Sequence, residues 1–496
     1  MIFLGVDVGT GSSKGVAVDE RGQVLATARR DHRTSSPAPG YFEHDVDEVW
    51  LAEPVNLVRR LLGTLRSEVG ASPSDVAGVA FSGIGPAVVP ADSAGTPLRP
   101  GILYGIDTRA QAEIAATNRQ LGDEALLTRC GNLLSSQSVG PKLTWLHNHE
   151  PDVWRATRKV FYPNSYLVHR LTGEYVLDRY TASGSDPLYD MTTGDWWDQG
   201  WATVPGSERI ERPRLVDPLE VVGSLHHDGA ELTGLRVGTP VIAGTVDALA
   251  EGYSVGVETP GDMMLMYGST LFMIQITDQF FPAQPLWAVG GLRSDQRALA
   301  AGMSTGGLVT SWLAEQLGHP VGELVPEAEQ SPPGSHGLVL LPYLAGERTP
   351  FEDPRARGAW VGLGLRHTRA DLVRSALESV GYGIRHNIEK MAELGATPAR
   401  LVAVGGGAQS RTWLQIVSDI CQAPQDVPGL TVGAAYGDAR MAAAASGCDV
   451  SGWNPPSYIV QPRTENAAVY DEMFGIYASL YAPLRESMHR LSAHNS

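Results

Sequence analysis

Short apolar runs of strand length recur at two distant places in this chain, and each pair of runs brackets a glycine turn. Residues 2–6 and 15–18 flank Asp7-Val8-Gly9-Thr10-Gly11-Ser12-Ser13-Lys14, and residues 263–266 and 271–276 flank Tyr267-Gly268-Ser269-Thr270. Each set predicts two strands joined in a hairpin. Longer stretches with helical spacing alternate with such strands, at 46–65 and 137–149 in the first half and at 308–317, 369–394 and 411–422 in the second. Strand and helix in alternation imply α/β layering. The segment Arg236-Val237-Gly238-Thr239-Pro240 interrupts the pattern before a strand at 241–244, which divides the chain into lobes 1–240 and 241–496. Near the end, Val469, Tyr470, Met473, Phe474, Tyr477, Leu480 and Tyr481 recur at helical spacing, a stripe that reads as core.

The turns carry the first hint of chemistry. Gly9 and Gly11 admit backbone angles closed to other residues, and no helical period follows Lys14. A Walker loop or a dinucleotide fingerprint opens a helix, so neither fits here. Successive N–H groups, with the hydroxyls of Thr10, Ser12 and Ser13, suit phosphate oxygens, and Gly268, Ser269 and Thr270 repeat the arrangement. Lys14 serves equally as a phosphate contact or a hairpin cap. One such turn alone reads as a plain hairpin. Two facing one another suit a polyphosphate held from both sides.

At 496 residues, 43% of them hydrophobic, the chain exceeds a single core and fits a globular protein of two or three domains. No run of eighteen uncharged apolar residues and no basic leader occurs, so neither a membrane span nor a secretory signal is expected and the cytoplasm is the expected compartment. The three cysteines, Cys130, Cys421 and Cys448, are widely spaced, against both a disulfide framework and a zinc site. A formal charge of −17 disfavours nucleic acid and anionic membranes as partners. A nucleotide bridged by a divalent cation remains compatible with it.

Further along, Gly358-Ala359-Trp360-Val361-Gly362-Leu363, followed after seven residues by Asp371-Leu372-Val373-Arg374-Ser375-Ala376-Leu377-Glu378, resembles the second signature of the FGGY carbohydrate kinases. The neighbouring Gly346-Glu347-Arg348-Thr349-Pro350 and Asp353-Pro354-Arg355-Ala356-Arg357-Gly358 are similar to segments of the same family. Lys142-Leu143-Thr144-Trp145-Leu146-His147-Asn148-His149 keeps half of its first signature, and Gly40-Tyr41-Phe42-Glu43-His44-Asp45 and Arg170-Leu171-Thr172-Gly173-Glu174-Tyr175 resemble xylulokinase-like members. Most of these stretches read as architecture, with Asp45 or Asp47 capping a helix and Trp145 in a core. The resemblance implies two ribonuclease H-like lobes of the actin and hexokinase type with a catalytic cleft between them.

It also implies a chemistry. Gly244-Thr245-Val246-Asp247-Ala248-Leu249-Ala250 is similar to the family segment whose Asp takes the hydroxyl proton, so Asp247 is the expected general base, a helix N-cap, or both. Asp7 matches the family Asp that orients magnesium, though a strand-end Asp also forms turns. Gly307 and Ser311, with Gly406, Gly407 and Ser410, match segments that bind adenosine. In the sugar pocket the pattern departs: the family's S-G-Q-M-H-G is here Ser82-Gly83-Ile84-Gly85-Pro86-Ala87, and the Asn that follows the base is Ala248. Lost hydroxyl partners imply a changed sugar or polyol preference. Ile84, Gly85, Tyr104 and Asp107, beside Asp247, are candidates for the pocket wall, while Asp107-Thr108-Arg109 reads equally as an ion pair within the lobe. The expected protein is an ATP- and Mg2+-dependent kinase of a ketopentose or related polyol, with a homodimer allowed. The competing expectation is a catalytically silent ATP-binding sugar sensor or scaffold of the same fold.

Overall fold

In a computed structural model, which describes residues 1–282 and 284–494, the two hairpins each seed a sheet. The first sheet holds β1 (Ile2–Val8), β2 (Ser12–Asp19), β3 (Val24–Asp31), β4 (Val76–Gly83) and β5 (Pro240–Ile242), in the order β5-β4-β1-β2-β3. The second holds β6 (Asp262–Tyr267), β7 (Leu271–Thr277), β8 (Arg297–Met303), β9 (Arg400–Val404) and β10 (Gln425–Pro428), in the order β8-β7-β6-β9-β10. In both, three antiparallel strands meet two parallel ones at the first strand of the hairpin. The same topology is thus used twice, with edge strands Val221–Ser224 on the first sheet and Trp287–Gly290 and Pro456–Val460 on the second.

Five helices position the site: α1 (Asp247–Ser254), α2 (Leu308–Leu317), α3 (Arg369–Glu393), α4 (Arg411–Cys421) and α5 (Ala434–Ala445). Helices α1 and α5 pack on each other between the sheets, in a core that joins Phe3, Val16 and Ala80 of the first lobe to Met264 and Ile274 of the second. The approach of α5 to β1 is close enough that a Cβ on Gly5 would stand 2.0 Å from the Ala435 carbonyl oxygen, so only glycine fits there. The expected terminal stripe lies on a helix over Ala467–Ser492, where Tyr470, Met473, Phe474 and Tyr477 are buried in the second-lobe core.

The expected lobe boundary at 240/241 cuts through the first sheet. Strand β5 pairs with β4, and so does Thr245–Val246 just before α1. The chain leaves the first sheet only there, and the second sheet starts with β6. The Gly/Pro break at 236–240 is a surface turn before an inner strand, which composition alone does not separate from a linker.

Candidate active site

Three cavities run in series from the junction of the lobes into the second lobe. The first, about 220 Å3, is walled by Gly85, Tyr104, Asn132, Asp186 and Asp247 from one side and by Phe272, Trp287 and Arg348 from the other. The second, about 380 Å3, is lined by Lys14, Glu251, Gly405 and Gly406. The third, about 800 Å3, is lined by Gly268, Ser269, Gly307, Ser311, Gly406, Gly407 and Ser410. Asp247 and Glu251 lie one turn apart on α1, which links the first cavity to the second, and Gly406 belongs to both the second and the third.

Asp247 opens α1 because its predecessor, Val246, keeps an extended backbone. Asp247 is therefore the first helical residue rather than the N-cap, and its Oδ1 accepts the Ala248 N–H at 2.7 Å while the side chain faces the first cavity. Burial, and next the negative charge of Asp7, push this carboxyl upward. Asp7 sits at the end of β1, and burial pushes it upward too. The Ser82 hydroxyl lies 3.1 Å from Asp7 Oδ1 and 2.7 Å from Asp438 Oδ2. One hydroxyl hydrogen serves only one of these, so the second contact requires a proton on a carboxyl. Asp438 is fully buried, and burial raises it well above the ordinary carboxylate range. Glu251 is pushed up to about 7 by burial and by Asp7.

The first hairpin is fixed from behind. Gly9 N–H donates to the Ser12 carbonyl at 3.0 Å, closing the turn. The Ser13 hydroxyl points inward to Glu53 Oε2 at 3.0 Å, and the same oxygen meets His32 Nδ1 at 2.8 Å, whose Nε2 reaches the Gly9 carbonyl at 3.1 Å. The Thr10 hydroxyl is bonded to Tyr104 at 3.0 Å. In the second hairpin the bonds are backbone: Gly306 N–H to Ser269 O at 2.9 Å and Gly307 N–H to Gly268 O at 2.7 Å, which dock the turn on the start of α2.

The structure therefore gathers Gly268, Ser269, Gly307, Ser311, Gly406, Gly407 and Ser410 in the third cavity, and Gly85, Tyr104 and Asp247 in the first. Lys14 faces the cavity between them. Gly9, Thr10, Gly11 and Ser12 form the first turn and Thr270 closes the second. Three expected residues stand elsewhere. Ser13 is wholly buried on Glu53, because its register on β2 turns it inward. Ile84, 2% exposed, packs into the first-lobe core. Asp107 is buried in an ion pair with Arg109 at 2.8 Å and accepts the Phe42 N–H at 2.7 Å, so of its two readings the structure shows the intralobe one. Sequence reasoning missed Asn132, Asp186, Glu251 and Arg348. Arg348 stood in a segment read as architecture, and a lone arginine within that conspicuous motif was the available signal.

The profile of the FGGY carbohydrate kinase N-terminal domain matches residues 2–251 and that of the C-terminal domain residues 263–446. The xylulose kinase of Escherichia coli K12 is 30% identical, over 99% of this chain and 98% of its own. The xylulose kinase of Streptomyces rubiginosus is 32% identical, over 89% and 87%. Among solved structures, xylulose kinase from Rhodospirillum rubrum superposes with a TM-score of 0.91 at 32% identity, covering 99% of this chain and 100% of its own. Plasmodium falciparum glycerol kinase with ADP shares the fold, with a TM-score of 0.85 at 17% identity over 96% and 97%. With both domain profiles matched along most of its length, this chain belongs to the FGGY family of carbohydrate kinases and is a sugar phosphotransferase.

Proposed function

We propose that the chain transfers the γ-phosphoryl of ATP to a primary hydroxyl of a ketopentose, of the xylulose or ribulose kind, or of a related polyol. The observation that carries the reading is the series of cavities with Asp247 at the joint. Nucleoside occupies the cleft of Gly307, Ser311, Gly406, Gly407 and Ser410, and the phosphates run past Gly406 toward both hairpins and Lys14. The acceptor fills the small cavity beyond. Relatives named xylulose kinase along almost the full length support the sugar class.

Asp247 takes the proton of the attacking hydroxyl as the oxygen bonds to phosphorus, a contribution of about 10²–10⁴ in rate. Its raised carboxyl makes it a stronger base than an exposed aspartate, provided that it is ionised. Asp7 is the residue suited to Mg2+. It is a buried carboxylate repelled by Asp247, with no basic side chain hydrogen-bonded to it, and no group of three acidic, His or Cys side chains among the described residues is close enough to form a cage. A magnesium ion held by one or two carboxylates, water and phosphate oxygens fits that donor set and, when bound, offsets the negative charge of the transferred group. Closure of the lobes keeps water from competing as acceptor.

The test is ADP release over ketopentoses, ketotetroses, pentitols and hexuloses, followed by Asp247→Ala. The substituted protein is expected to lose about 10²–10⁴ in kcat and to keep its nucleotide affinity. Normal turnover by Asp247→Ala rules the base assignment out. Since only the ionised form accepts a proton and burial holds the carboxyl high, kcat/KM is expected to fall on acidification from above the ordinary aspartate range, and a profile flat down to that range contradicts it.

A further inference from the structure

The wall of the sugar-side cavity is mostly apolar, formed by Pro86, Val246, Phe272, Trp287, Val289 and Ala300. The segment of Ile84, Gly85, Pro86 and Ala87 adds no side-chain donor or acceptor to it. Of the polar groups there, the Tyr104 hydroxyl is engaged with Thr10 and Gln137 Oε1 accepts the Gly105 N–H at 3.0 Å. Asn132 is clamped by both ends of its amide to Ala288 of the second lobe, at 3.0 Å each way.

Thr181 Oγ1 and Arg348 Nε, which also line the cavity, lack partners too, and Asp186 is the acid among these groups. It lines the same cavity and is only 6% exposed. Its Oδ2 receives the Asn132 amide at 3.3 Å, whereas its buried Oδ1 has no nitrogen or oxygen partner, and the one other polar group beside the carboxyl is the Cys130 thiol, a weak donor. No basic side chain pairs with it among the described residues, and burial pushes its carboxyl up to about 8. A buried carboxyl with one unmade bond weakens a fold, so its place in a ligand cavity calls for a ligand atom. Both carboxyls line this cavity from separate elements, Asp247 from the start of α1 and Asp186 from the turn that follows the short helix Arg179–Ser183.

We propose that Asp186 Oδ1 hydrogen-bonds a hydroxyl of the acceptor other than the one phosphorylated, and thereby sets which ketose or polyol this chain takes. The inference rests on the sugar-kinase reading above and deepens it. The polyhydroxylated acceptor has one hydroxyl at Asp247 and a second, on a carbon away from it, at Asp186. An analogue lacking that second hydroxyl leaves the carboxyl unpaired and is rejected.

Asp186→Leu removes both oxygens at similar volume, and Asp186→Asn keeps a donor and an acceptor. With D-xylulose as the first probe, the Leu variant is expected to raise the sugar KM about 10- to 100-fold with kcat and ATP affinity little changed, and the Asn variant to restore most of the loss. Trp287 lines the cavity, so its fluorescence gives sugar affinity without any phosphoryl transfer. In a monodeoxy series, one analogue is expected to bind weakly to the wild type yet no worse than D-xylulose to Asp186→Leu, a split that a merely structural role does not produce. Asp186→Ala repeats the comparison should the Leu variant not fold. Unchanged sugar affinity in the variants, or a deoxy series that falls equally in both proteins, overturns the proposal while leaving Asp247 as base. No fluorescence response of the wild type to any sugar on the panel overturns both.

Discussion

The two hairpins sit on matching sheets and are held differently. The first adds side chains to its backbone bonds, with Ser13 and His32 meeting on the buried Glu53 carboxylate and Thr10 tied to Tyr104. The second depends on backbone, with the N–H groups of Gly306, Gly307 and Leu308 donating to the carbonyls of Gly268 and Ser269. The charges follow the same division. Asp7, Asp247, Glu251 and Asp438 gather where α1 and α5 meet the first sheet, whereas among the described residues lining the third cavity only Arg411 is charged. On the proposed reading, the charged copy suits proton and phosphoryl chemistry, which needs charge in a low dielectric, and the uncharged copy suits a flat neutral base, which needs close backbone approach.

If that contrast is real, the largest effect comes from removing the hub of the first hairpin. Glu53→Ala strips the buried carboxylate from Arg30, His32 and Ser13, and removing one partner of such a buried set costs about 3–5 kcal/mol. Denaturant titration reads the stability loss, and the ATP KM rises with it. A loss under about 1 kcal/mol would show that charge does not hold this turn. The second hairpin is broken by bulk instead. A Cβ at Gly306 would stand 2.7 Å from the Thr270 carbonyl carbon and 2.8 Å from the Leu271 nitrogen. Overpacking of this kind costs about 1–3 kcal/mol, so Gly306→Ala is expected to raise the ATP KM roughly tenfold and to leave sugar affinity, read from Trp287 fluorescence, unchanged. Equal damage to sugar affinity would mean that the two copies are not separable.

What was legible in the sequence was local. The glycine turns, the alternating runs beside them and the 3.6-residue spacing of α2 are short-range signals, and the helix expected over 308–317 is observed with those bounds. Asp7 and Asp247 were legible because each stands at the end of a strand within a recognisable segment. The boundary at 240 was not, because β5 is fixed by hydrogen bonds to β4, far upstream in the chain. Ile84 and Gly85 are neighbours in sequence, yet only Gly85 reaches the cavity, since successive residues leaving a strand point to opposite sides. Asp186 gave no sequence signal at all. Its meaning comes from one unpaired oxygen, and that depends on Asn132 being clamped to a strand of the other lobe.

The smallest effect tests whether the side-chain-built hairpin also communicates with the acceptor. Tyr104 stands in the sugar-side cavity and its hydroxyl is bonded to Thr10 of the first turn at 3.0 Å, whereas the second turn sends no such bond into that cavity. Tyr104→Phe removes this bond alone, worth about 0.5–1.5 kcal/mol, and leaves the ring in place. Both the ATP and the sugar KM are then expected to rise, each by about two- to tenfold. Thr10→Val severs the same bond from the other end, so the double variant is expected to look like either single one, with the effects failing to add by about the strength of the bond. Additive changes, or a change confined to the sugar, would mean that Tyr104 acts as wall only and that the first hairpin is as insulated from the acceptor as the second.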